Sequence, residues 1–228
     1  MKSIFWLFTV LCFGWSSAAR ADALVQNLPA DGSWISFHVI LKVEDQEVRA
    51  VWSIRSVGVK TVDGVPCRWI ELESVEGPKH MIFKLQIPEK EFGKGKNPLG
   101  SARKVWAKFP GDAPAKEYSN LAEVDLPLSI IIEGPTADIK RRADKEPIKW
   151  QNGQFDSDVF EGVHRKELFG SKYELTHVVW KHADVPFGVT AMKQTLKMQF
   201  GEQSRLGKLD MSLKEFGKDA KSALPQVQ

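Results

Sequence analysis

The chain has 228 residues, a formal net charge of +3 and two cysteines. So even a charge balance excludes the strongly basic face on which nucleic-acid binding depends. The length suits one β domain, or at most two small ones.

The N-terminus carries an address. Lys2 precedes an almost wholly apolar run from Ile4 to Trp15, followed by small residues from Ser16 to Ala19, then Arg20 and Ala21. The run is shorter than the roughly 20 apolar residues that a membrane-spanning helix needs. Ala19-Arg20-Ala21 fits the small-x-small pattern ahead of a signal-peptidase cut. Residues 1–21 are therefore expected to be a cleaved signal peptide, with Asp22 opening the mature protein. The protein is then exported, to the periplasm or beyond the cell. Cys12 lies inside the apolar run behind Leu11, which excludes a lipoprotein signal. Cleavage takes away Lys2 and Arg20 and lowers the net charge from +3 to about +1. Cys67 is then the one cysteine left, so no intramolecular disulfide can form. A lone thiol in Val-Pro-Cys-Arg-Trp is expected to be buried as a small apolar side chain. The longest later apolar stretch, Leu126–Ile132, is interrupted by Pro127 and Ser129, so no second membrane span is expected.

Beyond the leader, the dominant pattern is alternation at period two. Ile35, Phe37, Val39, Leu41 and Val43 share one face of a first strand. After Glu44-Asp45-Gln46 the apolar parity passes to Val48, Ala50, Trp52 and Ile54, as in a hairpin with one buried and one wet face. Asp63-Gly64 is a two-residue hairpin signal, with the return strand at Cys67–Val75. Gly77-Pro78 turns the chain into a strand with Met81, Phe83, Leu85 and Ile87 on one side. Residues 89–120 are rich in Gly and Pro and read as an excursion of loop with a short helix near Leu99–Phe109. Leu126–Glu133 fits a strand or a buried helix segment equally well. The mixed charges of residues 140–146 read as a solvated connection. Strands resume at Phe155–Leu168 and Tyr173–Trp180. The next places Met192, Leu196, Met198 and Phe200 on one face. After a turn at Gly201–Gly207, the last strand alternates Leu209, Met211 and Leu213 with polar residues. Residues 22–217 thus read as a single, mainly β domain: a curved antiparallel sheet or open half-barrel of about eight to ten strands with a helical or loop excursion in the middle. The polar tail, residues 218–228, is expected to be flexible.

No catalytic constellation emerges. The chain has no nucleophile elbow, zinc helix or phosphate-binding glycine loop. Ser101-Ala102-Arg103-Lys104 has the Ser-x-x-Lys form, with Tyr118-Ser119-Asn120 close behind. The two elements lie too near each other for a penicillin-binding-protein site, and no Lys-Thr-Gly follows. His177 and His182 fall on opposite faces of a strand and make a poor metal pair. The carboxylate pairs Glu71/Glu73 and Asp156/Asp158 read as solvated strand faces. No metal or cofactor is implied.

Val178-Val179-Trp180, then Asp184-Val185-Pro186-Phe187-Gly188-Val189, enters the strand to Phe200 and is followed by the strand Leu206–Phe216. In this region, about a fifth of the chain, the sequence resembles the LolA/LolB-like lipoprotein-carrier superfamily. The likeness implies a large antiparallel sheet whose concave side binds acyl chains beneath a cover. It carries over no motif residue. The uncharacterised secreted bacterial proteins that the Asp-Gly-hairpin meander also resembles assign no function. The expected lining of an apolar site is Phe37, Val39, Trp52, Ile54, Met81, Phe83, Leu85, Met192, Leu196 and Met198. The expected partner is a lipid or a lipoprotein acyl chain. Alternatively the chain is an envelope module binding a protein through loop aromatics such as Trp106, Trp150 and Phe187. An envelope-polymer hydrolase is the third reading, without residues to carry it.

Overall fold

A computed structural model describes Val25 and residues 27–93, 96, 98–111, 114–124, 134–135, 137–142, 144–168, 171–200 and 203–224. The expected signal peptide and the segment Leu126–Glu133 lie outside the described residues. The strands are β1 (Trp34–Val43), β2 (Gln46–Val62), β3 (Val65–Glu76), β4 (Lys79–Pro88), β5 (Lys104–Lys108), β6 (Lys116–Tyr118), β7 (Ala137–Arg141), β8 (Glu146–Trp150), β9 (Gly153–Leu168), β10 (Ser171–Lys181), β11 (Val189–Phe200) and β12 (Gln203–Gly217). They form one open antiparallel sheet in the order β6-β5-β4-β3-β2-β1-β12-β11-β10-β9-β7, with β8 also paired to β9. Twelve strands are thus present among the described residues, rather than eight to ten.

Alternation builds the sheet as expected. Cross-strand partners share a face, so Phe37 meets Trp52 on β2 and Leu213 on β12. Ile54 meets Leu72, which meets Phe83. The turn between β2 and β3 is Asp63-Gly64, both with positive φ, 50° and 73°. That is the backbone a two-residue hairpin matched to strand twist demands, and a Cβ at the second position would be strained. A shift between Ser36 and Phe37 bulges β12, so that Phe216 opposite Ile35 returns to the apolar face after Lys214 and Glu215. The last hairpin is tighter than expected, because Gln203 already pairs with Phe200.

The excursion differs most from expectation. Among the described residues it contains no α-helix, only single 3₁₀ turns at Glu89–Glu91 and Leu99–Ser101. Where a short helix was expected, Val105 and Ala107 point into the core and the chain adds β5 and then β6 to the sheet. Pro98 and Gly100 cut the helix short, and Val-Trp-Ala-Lys obeys period two. The charged stretch 140–146 is likewise no free connection. β7 and β8 run in line along one edge of β9, broken around Arg142, which pairs with Glu146 and Glu161.

This edge folds back over the apolar face. A flat sheet would hold β8 and β12 about 19 Å apart. Instead the rings of Trp150 and Phe216 lie 4.9 Å apart, with Phe155 packed against both. The same end is sealed by Val25, Phe92, Leu99, Val185 and Phe187, all buried in the main core.

Arg68 ties that end together. The residue is 7% exposed, and its guanidinium donates to Glu89 Oε1 at 2.8 and 3.1 Å, to Pro29 O at 3.0 Å and to Ser56 Oγ at 3.1 Å. Arg68→Met retains the stem but leaves these acceptors unanswered. It is expected to lower stability by about 2–3 kcal/mol, measured by urea unfolding, and a loss below about 1 kcal/mol would contradict the assignment.

The tail is not loose as far as it is described. Ala220 N donates to Gly32 O at 2.8 Å, and Trp34 Nε1 donates to Lys218 O at 3.1 Å. Residues 218–224 cross the polar face of β3 and β4, and Leu224, 4% exposed, packs on Ile82, Trp69 and Trp106. Over residues 218–224 one leucine and a few backbone groups find partners on the sheet.

Candidate functional site

All ten expected lining residues lie on one face of the sheet. Phe37, Val39, Ile54, Phe83, Leu85 and Met192 are buried in the main core, and Trp52 and Met81 pack against it half-buried. Leu196 and Met198 share the face, half-buried, but stand outside that cluster. The face is therefore graded along the strands. At the end sealed by Arg68 and the Trp150–Phe216 pair the side chains are covered. At the other end, where β1 meets β2 and β11 meets β12, Leu41, Val43, Val48, Ala50, Leu196 and Met198 are only partly covered. Phe109 extends this rim, 37% exposed and edge-on to Phe83 at 6.0 Å.

The sequence reading misses a polar break in this face. Register places three rows across it. Ala50, Val39, Met211, Met192 and Val179 form the first; Val48, Leu41, Leu209, Gln194 and His177 the second; Val43, Gly207, Leu196, Leu175 and His164 the third. His177 is fully buried, and His164 and Gln194 are 6% and 4% exposed. Gln194 Nε2 lies 3.1 Å from His177 Nδ1 and 3.3 Å from Met192 Sδ. An amide nitrogen only donates, so Nδ1 accepts and the ring proton sits on Nε2. Nε2 is buried with no hydrogen-bond partner among the described residues. Burial, with a smaller contribution from His164, pushes the His177 pKa down to about 3. Parity could have found this residue, since Leu175, His177 and Val179 alternate along one strand face.

The remaining candidates disperse. Ser101 closes a 3₁₀ turn, while Lys104 starts a strand and pairs with Glu117 at 3.3 Å. The helical spacing that a Ser-x-x-Lys mechanism needs is missing. Glu71 and Glu73 do share a face, but it is the polar one, and Glu71 is buried rather than solvated. Asp158 pairs with Arg141 at 2.6 Å. Cys67 is fully buried, and desolvation raises its pKa. Among the described residues no three His, Cys, Asp or Glu side chains gather to hold a metal ion, and no helix is long and apolar enough to cross a membrane. A cleft of about 370 Å³ opens on the polar face beside Arg165, Lys172 and Lys197, but Glu167 and Glu174 alternate with these cations. It has no strong preference of charge. Two of the three aromatics expected in exposed loops are buried: Trp106, 5% exposed, lies in β5, and Phe187 is 1% exposed. Trp150 is half-buried within the sealed end.

No protein-family model matches this chain, and no curated protein does.

Proposed function

We propose that this chain is an exported binding protein or carrier for an apolar, lipid-like ligand, held in an open half-barrel. One observation carries the reading. A single apolar sheet face is sealed at one end and ends at the other in half-buried Leu41, Val48, Leu196 and Met198. An apolar face covered at one end and half-exposed at the other suits an acyl chain. The resemblance to the lipoprotein carriers points the same way, as does the signal-like start. The alternative, an envelope module anchored by loop aromatics, is weakened by the burial of Trp106 and Phe187.

The test is native mass spectrometry of residues 22–228 purified from the periplasm, followed by lipid extraction and titration with a fluorescent acyl ester. A stoichiometric acyl species, or saturable uptake, is the expected result. Leu196→Lys combined with Met198→Lys is expected to weaken uptake at least about tenfold by charging the rim. Because both positions are half-buried, the fold should survive. A protein that carries no acyl species and takes up none would end this reading.

A further inference from the structure

We infer that His177 is the polar anchor of the bound molecule, its Nε2–H donating to an uncharged carbonyl oxygen such as that of an acyl ester. This rests on the carrier reading and specifies its ligand. The second register row runs from half-buried Val48 and Leu41 through Leu209 and Gln194 to His177, whose ring is the buried polar end of that row. Its Nδ1 is occupied by Gln194, and its Nε2 is a buried donor without a partner among the described residues. Buried donors in native structures are almost always paired, and an exception points to a missing acceptor. The neighbours narrow the choice. Leu175, Val179, Met192 and Leu209 lie around the position at 0–3% exposure, and its polar neighbours are Gln194 and His164. A neutral imidazole among such side chains offers one hydrogen bond and no charge. It can satisfy a carbonyl, but it does not compensate the desolvation of a carboxylate.

The experiment compares dodecane, methyl laurate and laurate as competitors for a fluorescent apolar probe bound to the purified protein. The wild type is expected to prefer methyl laurate over dodecane by about tenfold, the size of one buried hydrogen bond, and over laurate by more. His177→Leu is expected to lose the ester preference while holding dodecane within about twofold. His177→Gln, which restores an N–H donor, recovers part of it. An ester preference that persists in His177→Leu overturns the inference, and so does a wild type that ranks laurate first or fails to separate ester from alkane. If the wild type takes up none of the three, the carrier reading itself has failed. Should His177→Leu not fold, the wild-type ranking and His177→Gln still decide.

Discussion

Replacing Glu71 by alanine is expected to cost about 3–5 kcal/mol and to detach the C-terminal segment from the sheet. The Glu71 side chain is wholly buried, and three groups contact its carboxylate. Ser222 Oγ donates to it at 2.6 Å and Ala223 N at 2.8 Å, while Arg55 Nη1 lies 3.5 Å away. Lys84, 5% exposed, sits opposite Glu71 on the neighbouring strand and donates to Ser222 Oγ at 2.8 Å. Burial lowers the Lys84 pKa, and the Glu71 charge works against that. Without Glu71, Lys84 is a buried cation missing its compensating carboxylate, and two donors of the tail lose their acceptor. The asymmetry gives a sharper test. Lys84→Met leaves Glu71 with Arg55 and both tail donors, so it is expected to cost less than half as much. Urea midpoints measure the cost. Fluorescence of Trp69 and Trp106, on which Leu224 rests, reports the tail. Deleting residues 218–228 should reproduce the spectral change, and adding Glu71→Ala to the deletion should cost less than it does in the full chain, because the two share partners. Equal effects of the Glu71 and Lys84 variants would refute this account.

The apolar face was legible because it is written at period two, the one pattern a strand cannot hide. Phe37, Trp52, Phe83 and Met192 were placed on it from alternation alone. So was the Asp63-Gly64 turn, where the residue types themselves favour positive φ. What stayed illegible depends on where a chain segment lands after it leaves the sheet. Asp184-Val185-Pro186-Phe187-Gly188 announces a break, and the chain does turn there. Nothing local says that Phe187 will adopt a positive φ of 64° and plug the core. The Gly and Pro around Trp106 speak for a loop and outweigh the short alternation Lys104–Lys108, because five residues are a weak period. Leu224 sits in a polar tail, and its burial exists only because Trp69 and Trp106 meet on the far side of β3 and β5. His177 is the instructive omission. Its spacing to His182 was weighed for metal binding, whereas its parity with Leu175 and Val179 placed it on the apolar face.

That placement makes stability depend on pH through a single ring. The His177 pKa falls from 6.5 to about 3 in the folded protein. Between those values the unfolded chain binds a proton that the native state refuses, so unfolding is favoured as the pH falls. The contribution is fully present above about pH 6.5. It is expected to shrink by about 2 kcal/mol near pH 5 and to go on falling towards pH 3. Other groups titrate over the same range, so the informative quantity is the difference between wild type and His177→Leu. The variant has no ring to protonate in either state. Its urea midpoint should be close to the wild type's at neutral pH, because the substitution removes a buried unpaired N–H but also takes the Nδ1 acceptor from Gln194. The two curves should then diverge as the solution is acidified, with the variant the more stable. Parallel curves between pH 7 and pH 5 would mean that His177 can be protonated in the folded protein. The ring would then be wet, and the dry polar break in the apolar face would not exist. Divergence together with an ester preference lost in the same variant would tie both properties to one atom, Nε2, which is buried without a partner.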